Sequence, residues 1–460
     1  MSSPIYLTQD IRRIERAAGD ATPPLMERAG SAAAEVAARL AAGKDILVLA
    51  GPGNNGGDAR IAAERLREHF FRVTVATRVD EVPAAKWGLV IDGLFGIGLA
   101  RDIDGEYAKL VELANQQTCP VLALDIPSGL HSDTGRVLGR AVRATHTLTF
   151  IGLKPGLLTL DGPDHCGEIS VADLGLPAQK ASAWVTSREL FAGTLKRRSL
   201  NYHKGLAGTV GILGGASAMT GAALLAARAA LKLGAGRVRV GLLEPIAVDP
   251  VMPELMLAHA DELLGADMDA LVVGPGLGQS ERAETLLGAS LASELPCVLD
   301  ADALNLIAEN VDLRHACARR TADTLVTPHP AEAGRLLAET TATVQADRVK
   351  AARVLAANLN AHVVLKGAGS ILVARDGHWF VNRTGNPGMA SAGMGDVLSG
   401  MLGALLAQRY TGETALVLAA HLHGAAGDAL ARDGVGPLGM TASELIDAAR
   451  RLWNDWHAGR

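Results

Sequence analysis

Short apolar runs alternate with helix-forming stretches through most of this chain. Residues 45–50 and 89–93 have the length and the Val, Ile and Leu content of buried strands, and a stretch with helical spacing of its apolar residues follows each of them. Strands that alternate with helices form parallel sheets, because a helical crossover returns the chain to the same edge of the sheet. The pattern therefore predicts an α/β protein whose parallel sheets are covered by helices on both faces.

The segment of residues 174–201 interrupts this alternation with Gly, Pro and short polar runs of weak periodicity. A chain of 460 residues has room for two or three domains of ordinary size. We therefore predict two α/β domains, residues 1–190 and residues 191–460. The strands predicted for the first domain are residues 45–50, 72–77, 89–93, 121–125 and 144–151. Those predicted for the second domain are residues 209–213, 237–242, 270–273, 297–300, 324–327 and 363–365.

The composition argues against several classes of partner. The formal net charge is −5 and aromatic residues make up 3% of the chain, so neither a basic face nor a stacking platform for nucleic acid is predicted. The four cysteines lie far apart, which argues against a disulfide framework or a zinc site. Residues 1–20 lack an apolar signal core, and the Ala-rich run of residues 221–236 carries Arg and Lys. We expect a cytoplasmic protein that binds neither nucleic acid nor a membrane.

A glycine-rich run at residues 386–396, NPGMASAGMGD, leads into an apolar helical stretch. Small side chains let backbone N–H groups approach an anion, and the positive end of the following helix favours its binding. Asp396 would then face the transferred group as a base, unless it serves only to cap the helix. A second candidate anion loop, residues 366–370, follows the predicted strand 363–365. Two such loops indicate a bound nucleotide.

The first domain has a polar loop between a predicted strand and a helix predicted at residues 58–69. This loop, residues 51–58, has the sequence GPGNNGGD. Its glycines fit the GxGxxG pattern of dinucleotide-binding turns, with Asp80 as the possible ribose ligand. Its two amides and its carboxylate are more than a pyrophosphate turn needs, so the loop could instead serve a metal ion or a polar ring.

Two further predicted strands of this domain end in carboxylates. Asp92 precedes a glycine-rich loop, and Asp125 precedes a turn that contains Pro127 and Ser128. Because ligands bind at the carboxyl ends of the strands in an open α/β sheet, these loops should converge on one cleft. A local role in capping the turn before Pro127 is the alternative for Asp125.

The strings GPGNNGGD, IDGLFGIGLARD and LDIPSG, in this order and spacing, resemble the NAD(P)HX epimerase domain, which has a Rossmann-like three-layer sandwich fold. The resemblance implies that Asp125 is the acid/base and that potassium contacts Asn55, Asp92 and Ser128. Pro52 and Ala59 depart from the usual family pattern, GNGNNGGDG; we expect both to be tolerated, although Ala59 could tighten the start of the helix. The residues implied to bind the hydrated dinucleotide are Asn54, Asn55, Gly56, Gly57, Asp58, Gly96, Ile97, Gly98, Leu99, Ala100, Arg101, Asp102, Tyr107 and Asp125.

The second half resembles the ADP-dependent NAD(P)HX dehydratase, which has a ribokinase-like α/β fold. The matching segments are residues 202–205, 214–222, 274–278, 299–305, 327–332, 366–370 and 393–396. Substrate contacts are implied for Ala222, Gly276, Gly278, His329 and Asp396, and also for Lys204 unless it is a simple surface lysine. Nucleotide contacts are implied for Lys366, Gly367, Ala368, Gly369, Ser370, Gly393 and Gly395. Glu332 is implied to hold magnesium through water. Met394 stands where relatives commonly have Ser or Thr, and we expect modulation of activity because the backbone donors remain.

Together the two resemblances imply a bifunctional repair enzyme for hydrated NADH and NADPH (NADHX and NADPHX). The expected reaction phosphorylates the hydroxyl on ring carbon 6 with ADP, Asp396 takes the proton, and the ring nitrogen expels phosphate to give NAD(P)H and AMP. The first domain would interconvert the two C6 epimers, because the second accepts only the S form. The resemblance also implies potassium, magnesium and a homo-oligomer of four or more chains.

Two alternatives belong to different functional classes. A ribokinase-like kinase for a vitamin precursor would share Gly393 and Asp396 but release a stable phosphorylated product. The first domain could also be a ligand-binding module without activity, although the presence of Asp58, Asp92 and Asp125 argues against that. His421 and His423, on an Ala- and Leu-rich helix, are predicted to be packed residues rather than metal ligands.

Overall fold

The computed structural model describes residues 3–41, 44–195 and 198–459. The chain forms two compact units, Ser3–Trp184 and Val185–Arg460. The boundary that the sequence predicts, near residue 190, lies a few residues after this division. Both units consist of a sheet with helices packed on it, which confirms the predicted α/β class.

The N-terminal unit has a parallel sheet in the order β3-β2-β4-β5-β6-β7, and β1 pairs with β8 in antiparallel orientation. Its strands are β1 (Pro4–Ile5), β2 (Ile46–Ala50), β3 (Val73–Ala76), β4 (Leu89–Gly93), β5 (Val121–Leu124), β6 (His146–Phe150) and β7 (Glu168–Ala172), and β8 (Ala183–Val185) crosses the division at residue 184. Its helices are α1 (Thr8–Ala17), α2 (Leu25–Ala41), α3 (Asn54–Glu68), α4 (Gly105–Asn115) and α5 (Gly162–Cys166).

Successive residues of β2 face opposite sides of this sheet. Ile46 and Val48 share a core with α2 and α3, whereas Leu47 and Leu49 share a core with α4. All residues of β2 are buried, which is why the strand is a continuous apolar run rather than an alternating one. The unit is therefore a three-layer sandwich, as the resemblance implied.

The start of α3 differs from the prediction. The helix begins at Asn54, not at residue 58, so the Asn-Asn-Gly-Gly segment is its first turn rather than a loop. Asn and Gly favour turns, and this preference places the predicted helix start too late. A Cβ atom at Gly56 would lie 1.9 Å from the carbonyl oxygen of Gly51. Glycine is thus required by the close approach of the helix to the end of β2.

The C-terminal unit has a sheet in the order β17-β16-β15-β14-β13-β12-β9-β10-β11. Its strands are β9 (Thr209–Gly214), β10 (Arg237–Leu242), β11 (Met256–His259), β12 (Ala270–Val273), β13 (Cys297–Leu299), β14 (Thr324–Val326), β15 (His362–Leu365), β16 (Ser370–Val373) and β17 (Trp379–Asn382). Its helices are α6 (Thr220–Lys232), α7 (Ala260–Leu263), α8 (Glu281–Ala292), α9 (Asp302–Glu309), α10 (Val311–Ala318), α11 (Pro330–Leu337), α12 (Thr341–Ala346), α13 (Arg348–Leu359), α14 (Met394–Ala407), α15 (Gly412–Arg432) and α16 (Ala442–His457).

This sheet is mixed, whereas the sequence predicted parallel strands. From β11 to β15 neighbouring strands run parallel, but β15-β16 and β16-β17 are antiparallel. The candidate anion loop at residues 366–370 is consequently the turn of a hairpin. Gly367 and Gly369 have φ angles of 144° and 59°, which residues other than glycine rarely adopt. A glycine-rich stretch after a strand can precede either a helix or a hairpin, so the local sequence does not decide between them.

The glycine-rich run at residues 386–396 does lead into a helix. α14 begins at Met394 and is almost entirely buried. At Gly393, φ is 87° and a Cβ atom would lie 2.6 Å from Leu225 Cδ1, so glycine is needed at the helix entry. Asp396 is the third residue of α14 and lies in its first turn. Within the described ranges, none of the helices has the length and apolar character needed to cross a membrane.

Candidate active sites

A cavity of about 700 Å³ lies at the carboxyl ends of the strands of the N-terminal unit. It is lined by α1 and by the segments that follow β2, β4, β5 and β6. The predicted residues that line it are Asn54, Asn55, Asp58, Gly96, Ile97, Gly98, Leu99, Ala100, Arg101 and Asp125. The predicted residues Gly56, Gly57, Asp102 and Tyr107 are not among those that line the cavity. The three polar loops therefore converge on one cleft.

Asp125 is paired with a buried lysine that the sequence analysis missed. Lys154 Nζ donates to Asp125 Oδ1 at 2.5 Å, to Thr149 Oγ1 at 2.7 Å and to the carbonyl oxygen of Phe150 at 2.8 Å. The three donors of the ammonium group are thus used, and the lysine side chain is fully buried. Asp125 has a φ of 66°, a left-handed backbone that is uncommon for a residue with a side chain. The sequence signal that could have identified Lys154 is its position as a lysine in an apolar segment that follows a buried strand.

Replacing Lys154 with Met is expected to destabilise the N-terminal unit by about 3 to 5 kcal/mol, because it leaves the Asp125 carboxylate with no buried countercharge. This loss corresponds to a fall of roughly 10 °C in the melting temperature of a unit of this size. The matched control is Lys109→Met, since Lys109 pairs with Glu106 on the surface and such pairs contribute about 1 kcal/mol or less. Calorimetric transitions of the full chain provide the comparison. Equal shifts in the two variants would contradict the structural importance of the Lys154–Asp125 pair.

Two further carboxyl groups belong to the cavity. Burial, with the charges of Asp125 and Glu15, raises the pKa of Asp58 to about 8. Burial and the charge of Asp125 also raise the pKa of Glu15, which lies on α1. At neutral pH Asp58 therefore carries a proton that it can donate, while Asp125 faces a lysine. Sequence analysis did not identify Glu15, because a glutamate on an amphipathic helix carries no local signal of a site.

The predicted potassium ligands lie deep in the same region. Ser128 Oγ donates to Asp92 Oδ1 at 2.6 Å, and the Ser128 N–H donates to Asp92 Oδ2 at 2.8 Å. Burial raises the pKa of Asp92 to about 6. Neither side-chain polar atom of Asn55 has a hydrogen-bond partner, although both are buried. An unpartnered buried amide oxygen is costly, so a cation with oxygen ligands fits there.

The C-terminal site is a group of carboxylates around one lysine. Lys366 Nζ donates to Asp300 Oδ1 at 3.0 Å and lies 4.0 Å from Glu332 Oε2. Asp300 is buried and also accepts from Ser399 Oγ at 2.7 Å. Burial and the charge of Asp300, opposed by the charge of Lys366, together raise the pKa of Asp396 to about 7. The Asp396 carboxyl group, at the start of a buried helix, is therefore a much weaker acid than an ordinary aspartate.

Two predicted glycines position the wall of this site. Gly276 has a φ of 61°, and a Cβ atom there would lie 2.4 Å from the carbonyl oxygen of Met219, the residue before α6. The Gly278 N–H donates to Asp302 Oδ2 at 2.8 Å. These contacts bring the loop after β12 against the starts of α6, which carries Ala222, and α9. Asp302 lies in the segment of residues 299–305, in which the sequence analysis gave no residue an individual role.

His329 and Glu332 cap α11 reciprocally. His329 Nδ1 accepts from the Ala331 N–H at 3.1 Å, and Glu332 Oε2 accepts from the His329 N–H at 2.8 Å. His329 Nε2 lies 3.2 Å from Glu332 Oε1. Burial, with the charge of Lys366, lowers the pKa of His329, which favours the neutral ring. The half-exposed ring is thus held in one orientation beside the carboxylate group.

Other residues fall outside this group. Lys204 is exposed, and its carbonyl oxygen lies beside Gly236, before β10 begins, whereas the site residues follow the carboxyl ends of strands. His423 Nε2 lies 2.9 Å from the carbonyl oxygen of Met394, and burial lowers its pKa to about 4. His421 packs against Phe191 and Trp456. The structure places both histidines as packed residues.

Comparison with known proteins matches each unit to a known family. Residues 210–451 match the NAD(P)H-hydrate dehydratase family, and residues 23–87 and 77–156 match the YjeF-related protein N-terminus family. A crystal structure of the ADP/ATP-dependent NAD(P)H-hydrate dehydratase from Bacillus subtilis, co-crystallised with ATP and Mg²⁺, superimposes with a TM-score of 0.52 and is 30% identical in sequence. The match covers 59% of this chain and 97% of that one.

Full-length relatives show the same combination of domains. The bifunctional NAD(P)H-hydrate repair enzyme Nnr of Coxiella burnetii is 38% identical, with 98% of this chain and 99% of the relative covered. The corresponding enzyme of Escherichia coli K12 is 36% identical, with 98% of this chain and 94% of the relative covered. This chain therefore belongs to the family of bifunctional NAD(P)H-hydrate repair enzymes.

Proposed function

We propose that this protein repairs hydrated NADH and NADPH in two steps. The N-terminal unit interconverts the R and S epimers at C6, and the C-terminal unit dehydrates the S epimer with ADP as phosphoryl donor. The observation that carries the proposal is the pair of carboxyl groups, Asp58 and Asp396, whose pKa values are raised to about 8 and about 7, each at a strand-end site of its own unit. Raised carboxyl pKa values suit proton transfer near neutral pH.

In the dehydration, Asp396 removes the proton of the C6 hydroxyl while the hydroxyl oxygen attacks the terminal phosphorus of ADP. The bond from phosphorus to the bridging oxygen breaks, and AMP leaves. The ring nitrogen lone pair then forms a double bond to C6 and expels phosphate, after which loss of a proton from C5 restores the dihydronicotinamide. Lys366 and the N-terminus of α14 would stabilise the negative charge on the transferring group.

Magnesium fits this site through the nucleotide. In the part of the chain that the structure describes, no cluster of three or more His, Cys, Asp or Glu residues is arranged to hold a metal ion. Mg²⁺ commonly keeps several waters and binds through phosphates with one or two carboxylates. Glu332 would contribute through water, because its two oxygens already contact His329. When bound, the ion would neutralise phosphate charge.

In the epimerisation, Asp58 gives its proton to the hydroxyl that leaves C6. The C6–O bond breaks, water departs, and the nitrogen lone pair forms a cationic double bond to C6. Water then adds to the opposite face while Asp125 accepts its proton. Lys154 holds Asp125 in position, and the carboxylate of Asp125 would stabilise the positive charge that forms on the ring.

Potassium fits the N-terminal cavity for a reason independent of the family. The buried Asn55 amide has no hydrogen-bond partner, and Gly96 lies against it, so that a Cβ at Gly96 would be 3.4 Å from Asn55 Cγ. The ion would satisfy the Asn55 oxygen together with oxygens near Asp92 and Ser128. Bound there, it would anchor the loop after β4 against the substrate.

The two steps should respond to pH in opposite directions. Dehydration needs ionised Asp396, so its kcat/KM is expected to fall as the pH drops below about 7. Epimerisation needs protonated Asp58, which gives its proton to the hydroxyl that leaves C6. Its kcat/KM is therefore expected to fall as the pH rises above about 8. The measurement is each rate across pH 5.5 to 9.5, with Asp58→Asn as a variant that should lose the alkaline limb. Parallel profiles for the two steps would contradict the assignment of these groups.

The basic test is recovery of the reduced-nicotinamide absorbance from an epimer mixture of NADPH hydrate with ADP, Mg²⁺ and K⁺. Complete recovery supports both steps, after spontaneous epimerisation is subtracted. Consumption of ADP or ATP with a pyrimidine alcohol, and none with the hydrate, would replace this function with that of a vitamin-precursor kinase. We propose a cytoplasmic homo-oligomer on the basis of the family resemblance, and light scattering on the purified chain tests the assembly.

A further inference from the structure

A buried arginine lies against the hairpin turn that we assign to nucleotide binding. Arg348 is the first residue of α13, and only 1% of its surface is exposed. Its Nη1 donates to the carbonyl oxygen of Ala368 at 2.5 Å. Its Nη2 lies 3.3 Å from the carbonyl oxygen of Leu365 and 3.2 Å from that of Lys366. One guanidinium group therefore fixes three carbonyl groups at the end of β15 and in the turn.

The guanidinium also occupies the space where a side chain at Gly367 would point. A Cβ atom on Gly367 would lie 2.6 Å from Arg348 Nη2. Gly367 and Ala368 are exposed on the other side of the turn. The arginine thus contacts the buried side of the turn and leaves its outer side open to a ligand.

Arg348 remains a cation in this position. Burial lowers its pKa to about 10, which is still well above neutral pH. A planar guanidinium can hold several carbonyl groups in fixed directions, whereas an ammonium group cannot reproduce its fork of donors. The same turn carries Lys366, whose ammonium group contacts Asp300 in the C-terminal site. Displacement of the turn would therefore move the lysine away from the carboxylates.

We infer that Arg348 is a positioning residue for the phosphoryl donor: it holds the turn of residues 366–370 in the conformation that receives the phosphates of a nucleotide. This inference rests on the proposed nucleotide site. It assigns no contact between Arg348 and the nucleotide. Loss of Arg348 should consequently weaken nucleotide binding, and it should also lower kcat as far as Lys366 moves with the turn.

Another buried arginine of the same unit supplies a matched control. Arg320 is 5% exposed, and its guanidinium donates to carbonyl oxygens of Leu291, Ser293 and Leu295. It lies before β14 begins, at the edge of the sheet opposite to the carboxyl ends of the strands. Arg320→Lys thus removes the same kind of backbone anchor without touching the turn.

The test compares Arg348→Lys, Arg348→Met and Arg320→Lys in the full chain. ADP binding is measured by calorimetry in the presence of Mg²⁺, and kcat and KM are measured separately for ADP and for the hydrate. We expect Arg348→Met to raise the Kd and KM for ADP about tenfold, and Arg348→Lys to raise them less. The KM for the hydrate and the epimerase rate should stay unchanged, and Arg320→Lys should leave all of these constants as in the wild type.

The inference is overturned if both Arg348 variants remain folded and bind ADP like the wild type. It is also overturned if Arg320→Lys weakens ADP binding equally, because general loosening of the unit would then explain the effect. If Arg348→Met does not fold, Arg348→Lys decides the question by the same binding measurement. Failure of the proposed function looks different, since the wild type would then fail to dehydrate the hydrate, whether or not it binds ADP.

Discussion

Replacing Asp396 with Asn is expected to lower the rate of ADP-dependent dehydration by about 10³-fold, within the usual range for loss of a positioned general base. An amide keeps the size of the side chain and can still accept a hydrogen bond, but it cannot remove the hydroxyl proton. The effect should appear in kcat, because Lys366 and the 366–370 turn remain in place to bind ADP. Absorbance recovery with purified S-NADPH hydrate measures it directly.

The control for this variant is Asp312→Asn. Asp312 also lies in the first turn of a helix, α10, but it is exposed. The Asp312→Asn variant shows how much stability is lost when a carboxylate near a helix N-terminus is removed, which is less than about 1 kcal/mol at an exposed site. Dehydration at more than a tenth of the wild-type rate in Asp396→Asn would remove Asp396 from the role of base, provided that Asp312→Asn is fully active.

Replacing Asp125 with Asn is expected to slow epimerisation by about 10² to 10³-fold and to leave dehydration of the S epimer unchanged. The substitution removes the Asp125 carboxylate, which is the proton acceptor and also the partner of the fully buried Lys154 ammonium group. With an epimer mixture, absorbance should rise until the S epimer is consumed and then continue only at the spontaneous rate of epimerisation.

A mixture of the two variants sharpens this experiment. Asp125→Asn supplies dehydratase activity and Asp396→Asn supplies epimerase activity, so together they should restore the full absorbance of the epimer mixture. Asp45→Asn is the matched control, since Asp45 pairs with Arg72 at the opposite end of β2 from the cavity. A second phase as fast in Asp125→Asn as in the wild type would show that another group performs the proton transfer.

The sequence predicted the fold class and most of the sheet for one physical reason. Strands buried on both faces need apolar residues on both sides, so each appears as a short continuous run, as residues 46–50 of β2 do. The edge strand β7 was not predicted, because most of its side chains are exposed and its residues Glu168–Ala172 show no such run. The mixed character of the second sheet was also missed, since the turn after β15 carries no local mark of a hairpin.

Candidate site residues were accessible from sequence where they lie at strand ends. The rule that parallel strands present their carboxyl ends at one edge predicts that Asp58, Asp92 and Asp125 lie near one another, and the structure places them in one region. Their roles stay predictions. The first turn of α3 was assigned wrongly to a loop, because the packing of Gly56 against Gly51 overrides the local preference of Asn and Gly.

The sequence by itself determined two α/β units, the strand-end loops and the family to which they belong, because these depend on local composition and on the order of motifs. Tertiary structure alone decided which charges meet. Lys154 and Asp125 are 29 residues apart and Lys366 and Asp300 are 66 apart, yet each pair shares a hydrogen bond in a buried setting. Burial and neighbouring charge set the raised pKa values of Asp58 and Asp396, and both are properties of the folded chain.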